Sequence, residues 1–584
     1  MTPAIRYDTP SGFFGVVGLT KEQRTWMDVE CGWSPFTQDQ SIMVTRQPEL
    51  VAPFYNLCDD YSKGMIYPYY LNYQNSFTLG PVETIWTANG YARPGGVYMA
   101  PTANPYPFQI GGVQVLQAQR NALIGDDPGA GKTLQFLTVA NDQALYPRTP
   151  APGQRFLKPA RNLRVLVGCP AFLVENWRDE IEKWYFAERL PIVILDRPRV
   201  ALPPFGFYVL PYSRVAAYRE RLLGEPIFDL MALDEVHYVK GDAAQVQRAA
   251  AVFGDGFKTP GLVSHAMRGF PMSGTPLPNS PAEVYNMLRA FAPSLLPGIH
   301  SRAAFESRFT TPDERGRPTP IRQSALQALL RASGLMMRRN KADILPQLPK
   351  KKVEILHIPI HGNIEDLIRE EVELFEMARR RQYTTATELQ NLVGHIMVVR
   401  KKLAIAKAPR IAEYADYLLK TEEASKGRLI VFMLHREAID IIEQMLTAKR
   451  IRCLVVDGRT PMRRRHEHKT IFQKPGGPPT VFLGQIRAAG VGLTLTAARR
   501  VGMGEVSWSF ADNTQAMDRV HRIGQTDEVR VDILAFPHAV EGRVLEAAAK
   551  KELNASRTLD MHFADALTAA EEALDPDAEG VEDF

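Results

Sequence analysis

A chain of 584 residues with 45% apolar content is long enough for three or four domains with sizeable cores. No run of about 18 apolar residues is present, and the start, MTPAIRYDTPSGFFG, lacks a basic end followed by an apolar stretch, so neither a membrane span nor a secretory leader is expected. Cys31, Cys58, Cys169 and Cys453 are far apart with no CxxC pair, which excludes a disulfide framework and a zinc knuckle and fits a reducing cytoplasm. The net charge of +5 is uneven: residues 1–100 carry −3, residues 571–584 carry −7, and +15 is left on the body between them. A basic body suits a protein that tracks phosphates, although an ordinary solvated surface would look the same.

Residues 1–104 hold 17 of the 53 aromatic side chains and read as an N-terminal domain of their own. Tyr67, Tyr69, Tyr70 and Tyr73 are expected in the core of a small β-rich domain; stacking on exposed bases is the alternative. From 105 to 300, short apolar runs alternate with helix-like stretches: NALIG ending at Gly125, RVLVGCP at 164–170, FDLMALDE at 228–235 and GFPMSG at 269–274. That alternation predicts a parallel sheet flanked by helices. A Pro-rich insertion, YPRTPAPGQRFLKPAR, is expected as a surface loop. Residues 301–426 are charged and mostly helical in pattern. The strand–helix alternation returns over 427–552 with RLIVF, IRCLVVDG, TVFLGQ and VRVDILAF, and 553–584 form an extension with an acidic tail. The fold class is therefore α/β, with two parallel-sheet lobes joined by a helical region.

The strongest motif is Gly125-Asp126-Asp127-Pro128-Gly129-Ala130-Gly131-Lys132-Thr133, placed after an apolar strand and before the helical run LQFLTVANDQAL. Gly129 and Gly131 let backbone N–H groups close around phosphate oxygens; Lys132 can reach the β- and γ-phosphates of ATP, and the Thr133 hydroxyl can ligate Mg²⁺. Alone, the motif could be a glycine turn before a helix. About a hundred residues on, Asp234-Glu235-Val236-His237 ends the apolar run FDLMAL. An acid at a strand end suits Mg²⁺, and Glu235 beside it can polarise an attacking water. Near the far end, Arg519 and Arg522 in DRVHRIGQ lie three apart, on one face if helical, and can stabilise charge on a transferring phosphoryl group. With the loop in one lobe and the arginines in the other, ATP is expected in a cleft between lobes.

In this order the blocks resemble the Swi/Snf-like family of superfamily-two helicases, over about 105–552. Phe108-Gln109 before Gly112-Val113 is similar to the family's PYQ-x-x-G-V, where the resemblance implies that Gln109 reads adenine. DDPGAGKT is similar to DEMGLGKT, so Asp126 is an expected member of the nucleotide site. Cys169-Pro170 with Asn176-Trp177 resembles the CP…NW-x-x-E block and implies DNA contact by Pro170 and Trp177; Ser213 is a further DNA-contact candidate. Ser273-Gly274-Thr275-Pro276-Leu277-Pro278-Asn279 resembles TGTPLQN, with Thr275 implied at DNA. Met337-Arg338-Arg339 through Leu348-Pro349 resembles the bridge between lobes. Gly490-Val491-Gly492-Leu493 with Leu495-Thr496 resembles the G-x-G-x-N-L-T block, implying Gly492 near nucleotide and Thr496 near DNA. DRVHRIGQ is nearly the family's signature. Ser509-Phe510-Ala511 departs from the usual Asn-Pro, and DEVH from DEAH.

The closest branch resembles the compact fork-remodelling and annealing translocases, on the LPQLPK bridge, the AKAPRIAEYADYLL stretch and VHRIGQT, and the short segment from Asp457 to Gln525 leaves no room for the lobe-two insertions of chromatin remodellers. The resemblance implies an ATP- and Mg²⁺-dependent enzyme moving along duplex or forked DNA in replication, repair or recombination. Compactness points to a bacterial or phage origin, hence an expected cytoplasmic setting in a bacterium or a phage-infected host, or a nuclear one in a eukaryote. A strand-separating DNA or RNA helicase is the enzymatic alternative; a non-catalytic DNA-binding scaffold is opposed by the intact Lys132, Asp234, Glu235, Arg519 and Arg522. Arg463-Arg464-Arg465-His466-Glu467-His468-Lys469 reads as a solvated helix face before it reads as a phosphate or metal site. The tail 571–584 has seven acids, no base and a terminal Phe584. It is expected to be disordered, to compete with DNA, or to dock on replication or single-strand-binding proteins.

Overall fold

The computed structural model describes residues 4–8, 13–17, 19, 21–29, 33–36, 40, 42–75, 84–86, 92–94, 105–145, 162–239, 246–254, 259–274, 284–296, 299, 301–312, 318–345, 347–359, 364–379, 386–421, 427–489, 493–507 and 510–537. Thr275, Gly492, the Pro-rich insertion and the acidic tail lie outside the described residues. The chain divides into two compact units, the first formed mainly by Met1–Asp127 and Gly131–Ile344, the second mainly by Leu345–Glu552.

The first unit opens with an antiparallel sheet of β1 (Ala4–Asp8), β2 (Phe13–Val17), β3 (Ser34–Pro35) and β4 (Met43–Thr45) in the order β1-β2-β4-β3. Alternate residues of β2, Phe14 and Val16, face inward, the period of two that a one-sided sheet requires. The tyrosines expected in a β-rich core sit instead on a helix, Asp60–Asn75. Only Tyr73 is buried, Tyr70 stacks on Tyr55 at 4.1 Å, and Tyr67 is exposed. Helical spacing put these rings on different faces, which a count of aromatics could not reveal.

The main sheet of this unit is parallel throughout, as expected. Its strands are β5 (Leu123–Ile124), β6 (Arg164–Cys169), β7 (Ile192–Ile194), β8 (Gly206–Pro211), β9 (Phe228–Asp234), β10 (Ala266–Met272) and β11 (Met336–Met337), in the order β11-β5-β10-β9-β6-β8-β7. β6 and β8 are buried along their whole length, the continuous apolar pattern of a sheet covered on both faces. Around it lie α1 (Pro107–Ala118), α2 (Lys132–Leu145), α3 (Val174–Trp184) and α4 (Val215–Leu223). Register decides the site: Asp234 pairs with Met272, and Met272 with Ile124. The carboxyl ends of β9, β10 and β5 therefore lie level, where open α/β sheets bind ligands.

The second unit holds a six-stranded parallel sheet, again as expected. Its strands are β12 (Lys351–His357), β13 (Arg428–Met433), β14 (Arg452–Val456), β15 (Thr480–Gln485), β16 (Arg500–Met503) and β17 (Val529–Ala535), in the order β12-β17-β16-β13-β15-β14. The stretch 301–426 is shared: Met336–Met337 supplies an edge strand to the first sheet and Lys351–His357 one to the second. The 35-residue helix Ala386–Lys420 buries Leu403, Ala408, Ile411 and Ala415 in the core beneath β13. The basic run lies on the helix Met462–Gln473, with Arg463 largely exposed, as expected of a solvated face. Arg465, however, is tied to the carbonyls of Thr460, Ala488 and Asp457. No cluster among the described residues is built to hold a metal ion with three or more His, Cys, Asp or Glu side chains.

Candidate nucleotide site

β5 ends at Ile124 and the chain turns through Gly125–Gly131 into α2. Gly129 and Gly131 have φ of +88° and +80°, a region that any β-carbon penalises. Gly131 has a second reason: a β-carbon there would lie 2.4 Å from Gln109 Nε2. Gln109, buried on the first turn of α1, accepts a hydrogen bond from Tyr106 N at 3.0 Å and packs its amide against the loop. Lys132 Nζ folds back to the Asp126 and Asp127 carbonyls at 2.8 and 3.4 Å. Burial lowers the ammonium pKa, and the charges of Glu235, Asp126 and Asp234 offset part of that.

Asp126 has no solvent exposure and is clamped by Arg339, 213 residues away: Nε to Oδ1 at 3.0 Å, an outer guanidinium nitrogen to Oδ2 at 2.5 Å, and the Arg339 backbone N to Oδ1 at 3.1 Å. Gln135 Nε2 on α2 adds a fourth bond, to Oδ2 at 3.1 Å. Burial alone would raise this carboxyl, but the Arg339 charge and these bonds hold it below the usual range. Arg339 also donates to the Phe108 carbonyl and to Gln135 Oε1, so one guanidinium joins α1, the loop and α2. Gly112 makes room for it, since a β-carbon there would stand 2.1 Å from Gln135 Oε1 and 2.7 Å from an Arg339 nitrogen. Arg338 ties down the Gly125 and Gly274 carbonyls at 2.6 and 2.9 Å and pairs with Asp127 at 3.3 Å. These two arginines, read in the sequence as a bridge, are fasteners of the loop; their juxtaposition in Met337-Arg338-Arg339 was the available signal.

Across the sheet ends, Asp234 accepts a hydrogen bond from Trp177 Nε1 at 2.9 Å, and its carbonyl accepts one from the Tyr212 hydroxyl at 2.7 Å. Burial, then the neighbouring Glu235 charge, pushes the Asp234 carboxyl up to about 7 against the pull of Trp177 and Lys132. Glu235 has φ +48°, an outlier for a non-glycine residue, and its Oε2 is buried without a hydrogen-bond partner, 3.4 Å from His237 Nδ1. His237 Nδ1 lies 3.0 Å from Ser273 Oγ, linking the ends of β9 and β10. Two adjacent carboxylates, one with an orphaned oxygen, beside Thr133 and Lys132 form an oxygen-rich donor set of the kind Mg²⁺ takes with a phosphate.

Gln109, Asp126, Gly129, Gly131, Lys132, Thr133, Asp234 and Glu235 thus gather around the ends of β5 and β9. Ser213 is exposed after β8. Pro170 is buried and Trp177 fully so, its ring edge-on to Phe136 at 6.0 Å. Trp177 has no exposure in this structure, and its indole N–H is turned to Asp234. In the second unit, Arg519 is buried, its guanidinium bound to the carbonyls of Gln515 at 2.9 Å and Leu493 at 3.4 Å. Arg522 is half-buried, with Nε on the Asp518 carbonyl at 2.7 Å. Thr496 Oγ1 accepts from Gln473 Nε2 at 3.1 Å.

Comparison with known proteins places these features in a family. The model of the SNF2-related domain matches residues 108–405 and that of the helicase conserved C-terminal domain matches 410–524. An "Uncharacterized ATP-dependent helicase" of Mycoplasma pneumoniae is 24% identical over 87% of this chain and 47% of its own length. The "DNA annealing helicase and endonuclease ZRANB3" of Bos taurus is 27% identical over 73% of this chain and 38% of its own. The Sulfolobus solfataricus SWI2/SNF2 ATPase core, solved in complex with dsDNA, aligns over 79% of this chain and 97% of that one at 20% identity, with a TM-score of 0.35, too low to bear on the fold. The chain spans about half the length of the curated relatives it matches. A glycine loop fastened by a buried Asp–Arg pair, a strand-terminal Asp-Glu level with it, and a family model covering half the chain lead to one conclusion: this chain belongs to the SNF2-related family of ATP-hydrolysing, helicase-like enzymes.

Proposed function

We propose that this chain is a Mg²⁺-dependent ATPase that moves along duplex or forked DNA. The observation that carries the reading is the level placement of Asp234 and Glu235 with the loop that begins after Ile124. Gln109 contacts the adenine, and Lys132 and the loop N–H groups hold the β- and γ-phosphates. Thr133 and Asp234 would hold Mg²⁺, which neutralises phosphate charge. Glu235, turned by its positive φ, takes the proton of the attacking water. Arg519 and Arg522 stabilise the charge that the transferring phosphoryl group gains. DNA is supported by the relative named an annealing helicase and by the +15 body; Ser213, Thr275 and Thr496 are its contact candidates. We assign 1–104, 105–300, 301–426, 427–552 and 553–584 as the working segments, with the acidic tail free to compete with DNA or to dock on replication or single-strand-binding proteins. No helix among the described residues is long and apolar enough to cross a membrane.

The test is ATP turnover measured without nucleic acid and with single-stranded, duplex and forked DNA and duplex RNA. Duplex or forked DNA is expected to stimulate at least as well as single strands. Stimulation by RNA alone would overturn the DNA reading. Strand separation in a displacement assay would move the assignment to an unwinding helicase.

A further inference from the structure

At the opposite side of the first sheet from the glycine loop, β7 and β8 end beside a surface concavity of about 310 Å³ lined by Pro198, Arg199, Arg214, Ala217, Tyr218 and Arg221. We propose that this concavity grips the phosphodiester backbone of duplex DNA, as a second anchor beyond the Ser213 contact; the inference rests on the DNA reading above.

Residues 197–221 carry five arginines and one glutamate. Arg199, Arg214 and Arg221 are exposed, and none forms an ion pair among the described residues, although Asp196 and Glu220 stand on the same segments. Three guanidinium groups converging on one hollow repel one another, and an anion between them removes that repulsion. The frame is fixed: the Tyr218 hydroxyl donates to the Arg197 carbonyl at 2.5 Å, and Arg221 to the Val200 carbonyl at 2.7 Å, tying the loop after β7 to α4. Arg199 is held at φ +63°, a left-handed conformation that a β-carbon disfavours. The sheet is parallel, so this hollow opens at the same carboxyl edge as the nucleotide loop. β8 lies four strands from β5, roughly 19 Å at the usual strand spacing. A second nucleotide is a poor occupant, since no glycine loop and no carboxylate lines the hollow. An unpaired strand is also disfavoured: the one lining ring, Tyr218, is buried in the floor and offers no stacking platform. A sugar–phosphate backbone, read by charge alone, fits what remains.

The experiment measures binding of a fluorescein-labelled 30-base-pair duplex by anisotropy over a series of NaCl concentrations, for the wild type and for R199Q/R214Q/R221Q. Each lost phosphate contact removes about 0.9 from the slope of log affinity against log salt, so a slope shallower by about 2 to 3 is expected. Affinity at low salt should fall about tenfold or more, with an unchanged melting temperature. Arg189→Gln, the loss of one exposed positive charge on the segment leading into the opposite end of β7, should leave the slope alone. If the triple variant does not fold, Arg199→Gln alone, on an exposed loop, should lower the slope by about 1. A wild type that binds duplex with a slope the pocket variants do not change overturns the anchor and leaves the proposed function standing. So does a slope change seen with single strands but not with duplex, or one that Arg189→Gln reproduces. A wild type with no duplex affinity and no DNA-stimulated turnover overturns both.

Discussion

Replacing Arg339 by Met keeps much of the side-chain volume and removes the charge that Asp126 faces. Asp126 has no solvent exposure and takes three of its hydrogen bonds from Arg339, two of them from the guanidinium. Breaking a buried pair by removing one partner costs about 3–5 kcal/mol, because the remaining charge is stranded. At about 2–4 °C per kcal/mol for a domain of 150–250 residues, the melting temperature should fall by roughly 6–20 °C at neutral pH. Scanning calorimetry reads this directly. Asp126→Asn combined with Arg339→Met should recover a large part of the loss, since no uncompensated charge remains; the cycle isolates the coupling. The sign with pH follows from the carboxyl. In the wild type its pKa is depressed by Arg339, so its contribution is complete above the unfolded value near 3.9 and lost as pH falls below it. In the single variant burial, the largest influence, is opposed only by the Gln135 hydrogen bond and the Lys132 charge, so the pKa rises, acid relieves the penalty and the gap to wild type narrows toward pH 4–5. A shift under about 2 °C, or a double variant no more stable than the single one, would refute the reasoning.

The sequence carried both sheets because their strands are apolar runs bounded by turns, and a buried parallel strand has no polar face to blur the pattern. The loop and the Asp-Glu pair were legible for a related reason: each is a short contiguous motif with one geometric solution. The partners that set their chemistry were not. Arg339 meets Asp126 across 213 residues, Trp177 meets the Asp234 carboxylate across 57, and Tyr212 reaches the carbonyl of the same residue across 22. Such pairings leave no periodicity, because the sheet order that makes them, β11 beside β5 and β6 beside β9, is settled only when non-local strands pair. The same cause hid Lys351–His357, whose charged, mostly exposed residues look like a linker until β17 supplies their hydrogen bonds. The tyrosines of Asp60–Asn75 show the converse: composition announced a core, and helical geometry left Tyr61 and Tyr67 in solvent.

The remaining tests address the chemistry. Glu235→Gln should bind ATP normally and lose turnover by about 10²–10⁴-fold, since it keeps the shape and removes the base, whereas Lys132→Ala should lose both; near-normal hydrolysis by Glu235→Gln sinks its role. Arg522→Ala should cut DNA-stimulated turnover by about 10³-fold without unfolding, while Arg519→Ala should add a stability loss of about 1–3 kcal/mol, because its buried guanidinium leaves two carbonyls unpaired. Either mutant losing DNA affinity while keeping turnover at saturating DNA would make that arginine a DNA contact instead. Trp177→Phe separates the sequence expectation from the structure. The ring is fully buried against Phe136, so Phe preserves most of the packing and deletes one group, the indole N–H on Asp234 Oδ2. A hydrogen bond to a charged group contributes about 1.5–3 kcal/mol, so turnover at limiting Mg²⁺ should fall by roughly 10–150-fold. Because the lost bond orients a metal-facing carboxylate, the Mg²⁺ needed for half-maximal rate should rise, and added Mg²⁺ should restore part of the rate. The DNA concentration for half-maximal stimulation should stay where it is. A variant that needs more DNA and no more Mg²⁺ would return Trp177 to the strand and undo the assignment of α3 as the support of Asp234.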